Sequence, residues 1–167
     1  MSINVSPVPV GSDVHPEEFK ALVGSFPTGV TVVTWGGERA GGMTVNAFAS
    51  ISIDPPLVMV SLAQGSRALS PILGEGRFGV NILAGEGTRA AMAFARGATA
   101  NLDSFPWREG LLGCPQLVED STAIAECEVH QTVLAGDHTI VIGRVRQAIA
   151  SGTVPLGYLR RHFAPWA

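Results

Sequence analysis

The sequence predicts a mainly β fold: an antiparallel barrel, closed or nearly closed, with a few short flanking helices. Short segments rich in β-branched residues recur along the chain, and turns containing glycine or proline separate them. Only a few segments have the 3.6-residue periodicity of an amphipathic helix. A closed antiparallel barrel would also remove the unpaired edges that such strands expose in an open sheet.

The longest β pattern runs from residue 42 to residue 56 and has two unlike faces. Successive side chains of a strand point to opposite faces. One face is apolar, and we expect it to pack inward: Val45, Ala47, Ala49, Ile51 and Ile53. The other face is small and polar apart from one ring: Thr44, Asn46, Phe48, Ser50 and Ser52. It carries none of the long charged side chains usual on a solvated face, so it suits a flat polar ligand or a Ser/Thr-rich edge strand.

The other elements follow in chain order. Residues 1–12 have no periodicity and predict a flexible N-terminal arm, so we expect one domain over residues 13–167. A helix is predicted from Pro16, with apolar residues at 19, 22, 23 and 26, and a second helix is predicted over residues 88–95. Strands are predicted at 30–34, 57–62 and 78–83, and a hairpin at 123–130 and 138–145.

Residues 74–79 match the glycine pattern of a dinucleotide-binding loop, Gly-x-Gly-x-x-Gly. That loop must follow a strand and open a helix. Here the pattern leads into a predicted strand instead, so the sequence predicts a turn without nucleotide recognition.

Composition limits the functional classes. The chain has 167 residues, of which 46% are hydrophobic and 15% charged, whereas a typical soluble domain reaches about 25% charged residues. This shortage of charge predicts contact between subunits. A net charge of −3 without a basic run argues against a nucleic acid or a membrane surface as partner. No apolar run reaches the roughly 18 residues of a spanning helix, and we expect a soluble, cytoplasmic protein.

The two cysteines, Cys114 and Cys127, lack the spacing of a metal site or a disulfide framework. We therefore expect two reduced, packed thiols and no bound metal.

Several motifs occur in an order that resembles one known family. They are Pro-Thr-Gly-Val at 27–30, Gly-Met-Thr-Val-Asn-Ala-Phe at 42–48, Asp-Pro-Pro-Leu-Val at 54–58, Ser-Arg at 66–67, Val-Asn-Ile-Leu at 80–83, Ala-Gly-Asp-His at 135–138 and Ile-Gly-Arg-Val at 142–145. This ordered set resembles the short-chain flavin reductases, the reductase components of two-component flavin-dependent monooxygenases. The similarity covers the chain from about Phe19 to Phe163.

The resemblance implies an FMN-binding split β-barrel with Greek-key-like antiparallel strands, assembled as a homodimer. It implies an enzyme that binds FMN or FAD and oxidises NADH, with NADPH as the alternative. The reduced flavin would leave for a partner monooxygenase of natural-product biosynthesis or aromatic catabolism. Hydride transfer between the two cofactors requires positioning and no protein nucleophile.

By resemblance, the flavin ring is bordered by Thr44, Val45, Asn46 and Ala47, and approached by the backbone of Thr28 and Gly29. Ser50 and Ser52 would face the ribityl chain and phosphate. Asn81 either reaches the cofactor or caps a strand end. Phe163 belongs to an Arg-His-Phe segment similar to the Arg-Arg-Phe ending of reductases that serve polyketide-tailoring oxygenases.

Two further positions combine resemblance with local chemistry. Ser66 is placed as the N-cap of a short helix, and Arg67 beside it would contact the flavin phosphate, because guanidinium and free helix N–H groups both favour anions. An ordinary surface arginine is the alternative. His138 would lie beside the nicotinamide or flavin as the catalytic polar residue, or cap Asp137 in a hairpin.

Two other functions stay open at this point. One is a related split barrel with a tightly bound prosthetic flavin, such as a pyridoxamine-phosphate-oxidase-like enzyme or a flavin sensor. The other is a barrel that binds a small molecule without catalysis.

Overall fold

A computed structural model describes residues 13–96 and 102–166. The predicted arm over residues 1–12 lies outside the described residues. Within them the helices are α1 (Pro16–Val23), α2 (Leu69–Glu75) and α3 (Thr88–Ala95), with a 3-10 helix at Leu102–Ser104. The strands are β1 (Thr28–Gly29), β2 (Thr31–Trp35), β3 (Gly41–Val45), β4 (Phe48–Ser52), β5 (Leu57–Ala63), β6 (Arg77–Leu83), β7 (Arg108–Glu109), β8 (Pro115–Gln116), β9 (Ser121–Ala135), β10 (His138–Ala150), β11 (Leu156–Leu159) and β12 (His162–Pro165). The predicted class, mainly β with antiparallel strands and few helices, is confirmed.

The largest sheet has its two edges joined by a very short piece of chain. Its seven strands lie in the order β3-β2-β6-β9-β10-β5-β4. Strands β3 and β4 are consecutive in sequence yet stand at opposite ends of this order, and only Asn46 and Ala47 connect them. The three peptide links between Val45 and Phe48 reach at most about 11 Å. The sheet therefore curls until its edges adjoin, as the predicted barrel requires.

This topology corrects the prediction of one continuous strand over residues 42–56. The segment is two strands, and Asn46 and Ala47 form the β3–β4 connection between them. The expected burial of the apolar face is also wrong for its second half, because Ile51 is 47% exposed and Ile53 is 94% exposed. Alternation assigns side chains to faces, but it does not mark the residue at which the chain crosses to the other edge of a curled sheet.

Strand β2 shows how the two faces of the sheet divide the core. All five of its residues are buried. Val33 and Trp35 pack into one cluster with residues of β5, β6 and β10, whereas Val32 packs on the other face against Phe94 of α3. Because successive side chains of β2 point to opposite faces, they contribute to two apolar layers. One layer is enclosed by the curled sheet and the other lies beneath α3.

Most local predictions are confirmed. Helix α1 begins at Pro16, α3 spans Thr88–Ala95, and the predicted hairpin is formed by β9 and β10, which extend beyond the predicted ends. The glycine pattern closes a helix and opens a strand, the reverse of a dinucleotide-binding loop: α2 ends at Glu75, its C-cap Gly76 has a φ of +67° that suits glycine, and β6 begins at Arg77. The Ser66 N-cap is wrong, because α2 begins at Leu69 with Ala68 as its N-cap.

A second sheet joins the two ends of the domain. Its order is β1-β11-β12, and Thr28 pairs with Tyr158. Strand β1 lies two residues before β2, so this pairing holds the C-terminal hairpin beside the start of the barrel. In the described part of the chain, no helix is long and apolar enough to cross a membrane, and no cluster of side chains could hold a metal ion.

Candidate functional site

Two adjoining grooves flank the β3–β4 connection. The larger, of about 1120 Å³, lies between α1, this connection and the β11–β12 hairpin. The smaller, of about 590 Å³, continues along Thr28, Gly29 and Phe48. Thr28, Asn46 and Ala47 line both grooves. Four of the predicted flavin-contacting residues, Thr28, Gly29, Asn46 and Ala47, are therefore brought together around one opening.

The β3–β4 connection leaves hydrogen-bond donors beside these grooves. The carbonyl of Asn46 accepts a bond from the N–H of Phe48 at 2.9 Å, and that of Ala47 accepts one from the N–H of Ser61 at 3.0 Å. No backbone carbonyl of residues 13–96 and 102–166 accepts a bond from the N–H of Asn46 or of Ala47. Because the chain crosses between sheet edges here, neither strand ladder uses these two donors.

Thr28 adds an unpaired hydroxyl at the same place. Its Oγ1 is buried and has no hydrogen-bond partner in the described part of the chain. A buried hydroxyl without a partner is unfavourable, and such an atom beside a groove is suited to a ligand that satisfies it. The pyrimidine edge of a flavin carries both N–H and C=O groups. The donors of the connection and the hydroxyl of Thr28 fit that edge.

The walls of the larger groove are mostly apolar. Leu22 is 69% exposed and Phe26 is 72% exposed, and α1 has no buried residue. Tyr158 closes the opposite side from β11. An apolar slot with a few polar groups at its base is the usual form of a site for a flat cofactor.

Thr44 and Val45 are directed away from the grooves. The hydroxyl of Thr44 donates to the carbonyl of Ala91 in α3 at 2.7 Å, and Val45 is 6% exposed within the core. Their side chains are therefore engaged away from the grooves, and the contact of Thr44 and Val45 with the flavin ring stays a prediction. They hold α3 and the barrel together behind the β3–β4 connection.

Arg67 is bound to the protein backbone. Its Nη2 donates to the carbonyl of Gly42 at 3.1 Å and to that of Phe94 at 2.5 Å. Phe94 lies in the last turn of α3, where carbonyls lack intrahelical partners. Burial lowers the pKa of Arg67. Arg67 lines neither groove, and its expected place at a helix start is wrong. Ser66 beside it has a buried Oγ without a partner among the described residues.

Asn81 has no exposed surface in the described chain. It is fully buried, and its Nδ2 donates to the carbonyl of Val32 at 3.0 Å. Its Oδ1 accepts a bond from the N–H of Leu117 at 2.8 Å. Both ends of its amide join β6 to neighbouring chain segments, which favours the structural alternative, and a contact of Asn81 with the cofactor stays a prediction.

Four other predicted residues lie outside the lining of the two grooves. The ring of Phe163 packs at a tilt of 46° against Tyr158, which lines the larger groove, with ring centroids 4.8 Å apart, and its own cofactor contact stays a prediction. Ser50 and Ser52 lie on β4. His138 is hydrogen-bonded through Nδ1 to Asp137 at 2.7 Å, the capping arrangement, and this bond lowers the pKa of Asp137. The cofactor contacts of His138, Ser50 and Ser52 stay predictions.

The sequence analysis missed the residues that α1 and the C-terminal hairpin bring to the larger groove. They include Lys20, Leu22, Tyr158, Arg160 and Arg161. A signal for the last two was present: paired arginines stand where a two-residue hairpin turn favours Asn-Gly or Gly-Gly.

The two cysteines are free and buried. Burial is the main cause that raises the pKa of Cys114 and of Cys127 to about 12. Neither thiol lines the grooves. They are packed neutral thiols, as the sequence predicts.

The fold and the grooves define a β-barrel protein built to hold a flat, polar-edged ligand. Residues 23–167 match the family model described as a flavin reductase like domain. The chain belongs to this family.

Individual relatives extend the match over most of the chain. A flavin reductase (NADPH) from Lentzea aerocolonigenes is 38% identical over 160 residues, covering 93% of each protein. The reductase component of a flavin-dependent trigonelline monooxygenase from Acinetobacter baylyi is 37% identical over 89% of this chain, which spans about half (48%) of that relative. Among solved structures, the Streptomyces globisporus NADH:FAD oxidoreductase SgcE6, in complex with NAD and FAD fragments, has a TM-score of 0.87 and 31% identity, covering 94% of this chain and 98% of that one.

Proposed function

We propose that this protein is an NAD(P)H-dependent flavin reductase that transfers a hydride to FMN or FAD and releases the reduced flavin. The observation that supports the proposal is the β3–β4 connection, where unpaired N–H groups and the orphan hydroxyl of Thr28 stand beside an open apolar groove in a chain of the flavin reductase like family.

The groove residues position and shield the reactants. A bound flavin would supply the hydride-accepting ring. The N–H groups of Asn46 and Ala47 and the hydroxyl of Thr28 orient its polar edge, and the apolar side chains of α1 and Tyr158 keep water from the ring face. Positioning of this kind contributes by removing the entropy cost of bringing two reactants into register. It needs no acid, base or nucleophile from the chain.

The flavin is a diffusible substrate in this proposal, because the grooves are open to solvent on the described chain. The protein therefore supplies reduced flavin to a separate monooxygenase, a role supported by the trigonelline monooxygenase relative. The proposal takes NADH as the preferred hydride donor. The relatives include both a flavin reductase (NADPH) and an NADH:FAD oxidoreductase. Two reduced, buried thiols fit a cytoplasmic location.

The proposal includes a homodimer. Ile51 and Ile53 are exposed on β4 and just beyond it, and a second copy of the chain would remove them from water. A dimer boundary near the β3–β4 connection would also bring residues of the second subunit toward the grooves.

The decisive experiment is an NADH oxidation assay with and without added flavin. We expect oxidation only when FMN or FAD is supplied, together with reduction of cytochrome c held behind a dialysis membrane. A purified protein that is yellow and reduces only its own flavin would indicate a prosthetic flavoprotein. A protein that binds flavin without consuming NADH or NADPH would contradict the reductase.

A further inference from the structure

The turn between β11 and β12 has an unusual sequence for its geometry. Arg160 and Arg161 are its two central residues, with φ angles of 47° and 69°. Positive φ at both positions defines the hairpin turn that favours Asn-Gly or Gly-Gly. In the described chain, these arginines are the residues other than glycine with positive φ. Two arginines at turn positions that favour Asn and Gly indicate a role beyond forming the turn.

Both arginines line the larger groove at the rim opposite α1. The Nδ1 of His162 lies 2.9 Å from the carbonyl of Arg160, in hydrogen-bond distance, which ties the turn to β12. Pairing of β11 with β1 fixes the hairpin relative to Thr28. The two guanidinium groups are thus carried by an anchored turn beside the candidate flavin-binding residues.

The charge at this rim is not balanced by the protein. The groove lining contains Lys20, Arg160 and Arg161 and no carboxylate. Lys20 is paired with Glu17 at 2.7 Å. Neither Arg160 nor Arg161 forms an ion pair with a carboxylate of residues 13–96 or 102–166. The uncompensated positive charge therefore belongs to the two arginines.

Arg67, the arginine that the sequence analysis assigned to phosphate, is engaged elsewhere. Its Nη2 serves two backbone carbonyls, and it does not line this groove. A nucleotide cofactor in the groove would meet Arg160 and Arg161 instead.

We propose that the β11–β12 turn is a phosphate-recognition element, in which Arg160 and Arg161 bind a phosphate of the nucleotide cofactor at the rim of the groove. Guanidinium groups present forked donors that match phosphate oxygens in a bidentate manner. The phosphate belongs either to the flavin or to the nicotinamide dinucleotide. This proposal rests on the proposed reductase function, and it assigns the anionic part of the cofactor to these two residues.

The test variant is Arg160→Asn/Arg161→Gly. It removes both charges and installs the residue pair that this turn favours, so the melting temperature should stay the same or rise. Arg160→Lys/Arg161→Lys keeps the charge without the fork. Arg39→Asn, a similar change in the β2–β3 hairpin outside the grooves, is the matched control.

Binding is measured by equilibrium fluorescence titration with two pairs of probes. FMN is compared with riboflavin, and NADH with reduced nicotinamide riboside, since the second member of each pair lacks phosphate. We expect the Asn-Gly variant to raise the Kd of the phosphate-bearing member of one pair at least tenfold and that of its partner less than twofold. A loss for FMN assigns the flavin phosphate, and a loss for NADH assigns the dinucleotide.

Equal effects on both members of each pair, or no effect on either pair, would overturn the phosphate assignment. The wild-type protein in the NADH oxidation assay separates this result from failure of the reductase function. A wild type that is active while the variant binds all four probes normally contradicts only the role of Arg160 and Arg161. An inactive wild type contradicts the reductase function, whatever the titrations give.

Discussion

Thr28 illustrates how one side-chain atom can mark a ligand site. Its Oγ1 is buried without a partner among the described residues, although Thr28 sits in a regular pair with Tyr158. A threonine could be replaced by valine at nearly the same volume, and the protein would then lose an unsatisfied polar atom. A ligand that completes its hydrogen bond would account for the hydroxyl beside Asn46 and Ala47.

The variant Thr28→Val tests this explanation. We expect the flavin-free protein to be as stable as the wild type or more stable, because the buried orphan hydroxyl is removed. We expect FMN and riboflavin to bind about three- to tenfold more weakly, the effect of one lost neutral hydrogen bond. Thermal melting and flavin titration measure the two quantities. Thr28→Ser, which keeps the hydroxyl, should bind flavin normally, and unchanged binding by Thr28→Val would rule out the contact.

The β7–β8 hairpin owes its position to one buried carboxylate on β9. Glu126 is fully buried, and its Oε1 accepts bonds from the N–H groups of Leu112 at 3.0 Å and Cys114 at 3.2 Å. Its Oε2 accepts from the N–H of Leu111 at 2.5 Å and from Nε2 of Gln116 at 3.0 Å. Both carboxylate oxygens are therefore used to hold the loop between β7 and β8 against the barrel.

Removal of this carboxylate should destabilise the fold strongly. Glu126→Ala leaves several donors without an acceptor, and we expect the free energy of unfolding to fall by about 3 kcal/mol. Urea unfolding followed by circular dichroism measures the change. Glu128→Ala is the matched control two residues along β9, where the carboxylate forms an exposed pair with Arg146. We expect that control to cost less than about 1 kcal/mol. Similar losses for both variants would contradict the buried anchor.

The whole chain has little charge and an exposed apolar edge. Its mean hydropathy is +0.29, and Ile51 and Ile53 lie on the surface of the described chain. The alternation along residues 42–56 predicted that both would pack in the core of one subunit. A subunit boundary on β4 would give the same residues an apolar environment between two copies.

Sedimentation velocity at micromolar concentration tests this assembly. We expect the wild type to be a dimer and Ile51→Glu/Ile53→Glu to shift it toward monomer, because two buried carboxylates at a boundary are strongly unfavourable. Leu111→Glu is the control, since Leu111 is 67% exposed on the β7–β8 loop. A wild-type monomer, or a dimer insensitive to the double variant, would place the boundary elsewhere or remove it.

The sequence by itself determined the local structure and the class of protein. Alternating or continuously apolar runs predicted β2, β5, β6 and the β9–β10 hairpin. Strands β2 and β6 are buried over most of their length, whereas β9 and β10 each have an exposed end. The Pro16 start and the apolar spacing predicted α1, and the order of the glycine pattern excluded a nucleotide loop. The ordered motifs indicated the flavin reductase family. Thr28, Gly29, Asn46 and Ala47, all predicted to contact the flavin, line one groove, and the contact itself stays a prediction.

Only the tertiary structure decided which side chains are free to meet a ligand. Arg67 and Asn81 have the right chemistry for a cofactor, yet backbone groups from distant segments engage Nη2 of Arg67 and both ends of the Asn81 amide. Arg160 and Arg161, far along the chain from the β3–β4 connection, reach the groove through the pairing of β11 with β1. Periodicity depends on neighbours along the chain. The partner of a polar group depends instead on which distant segments the curl of the sheet brings within hydrogen-bond distance.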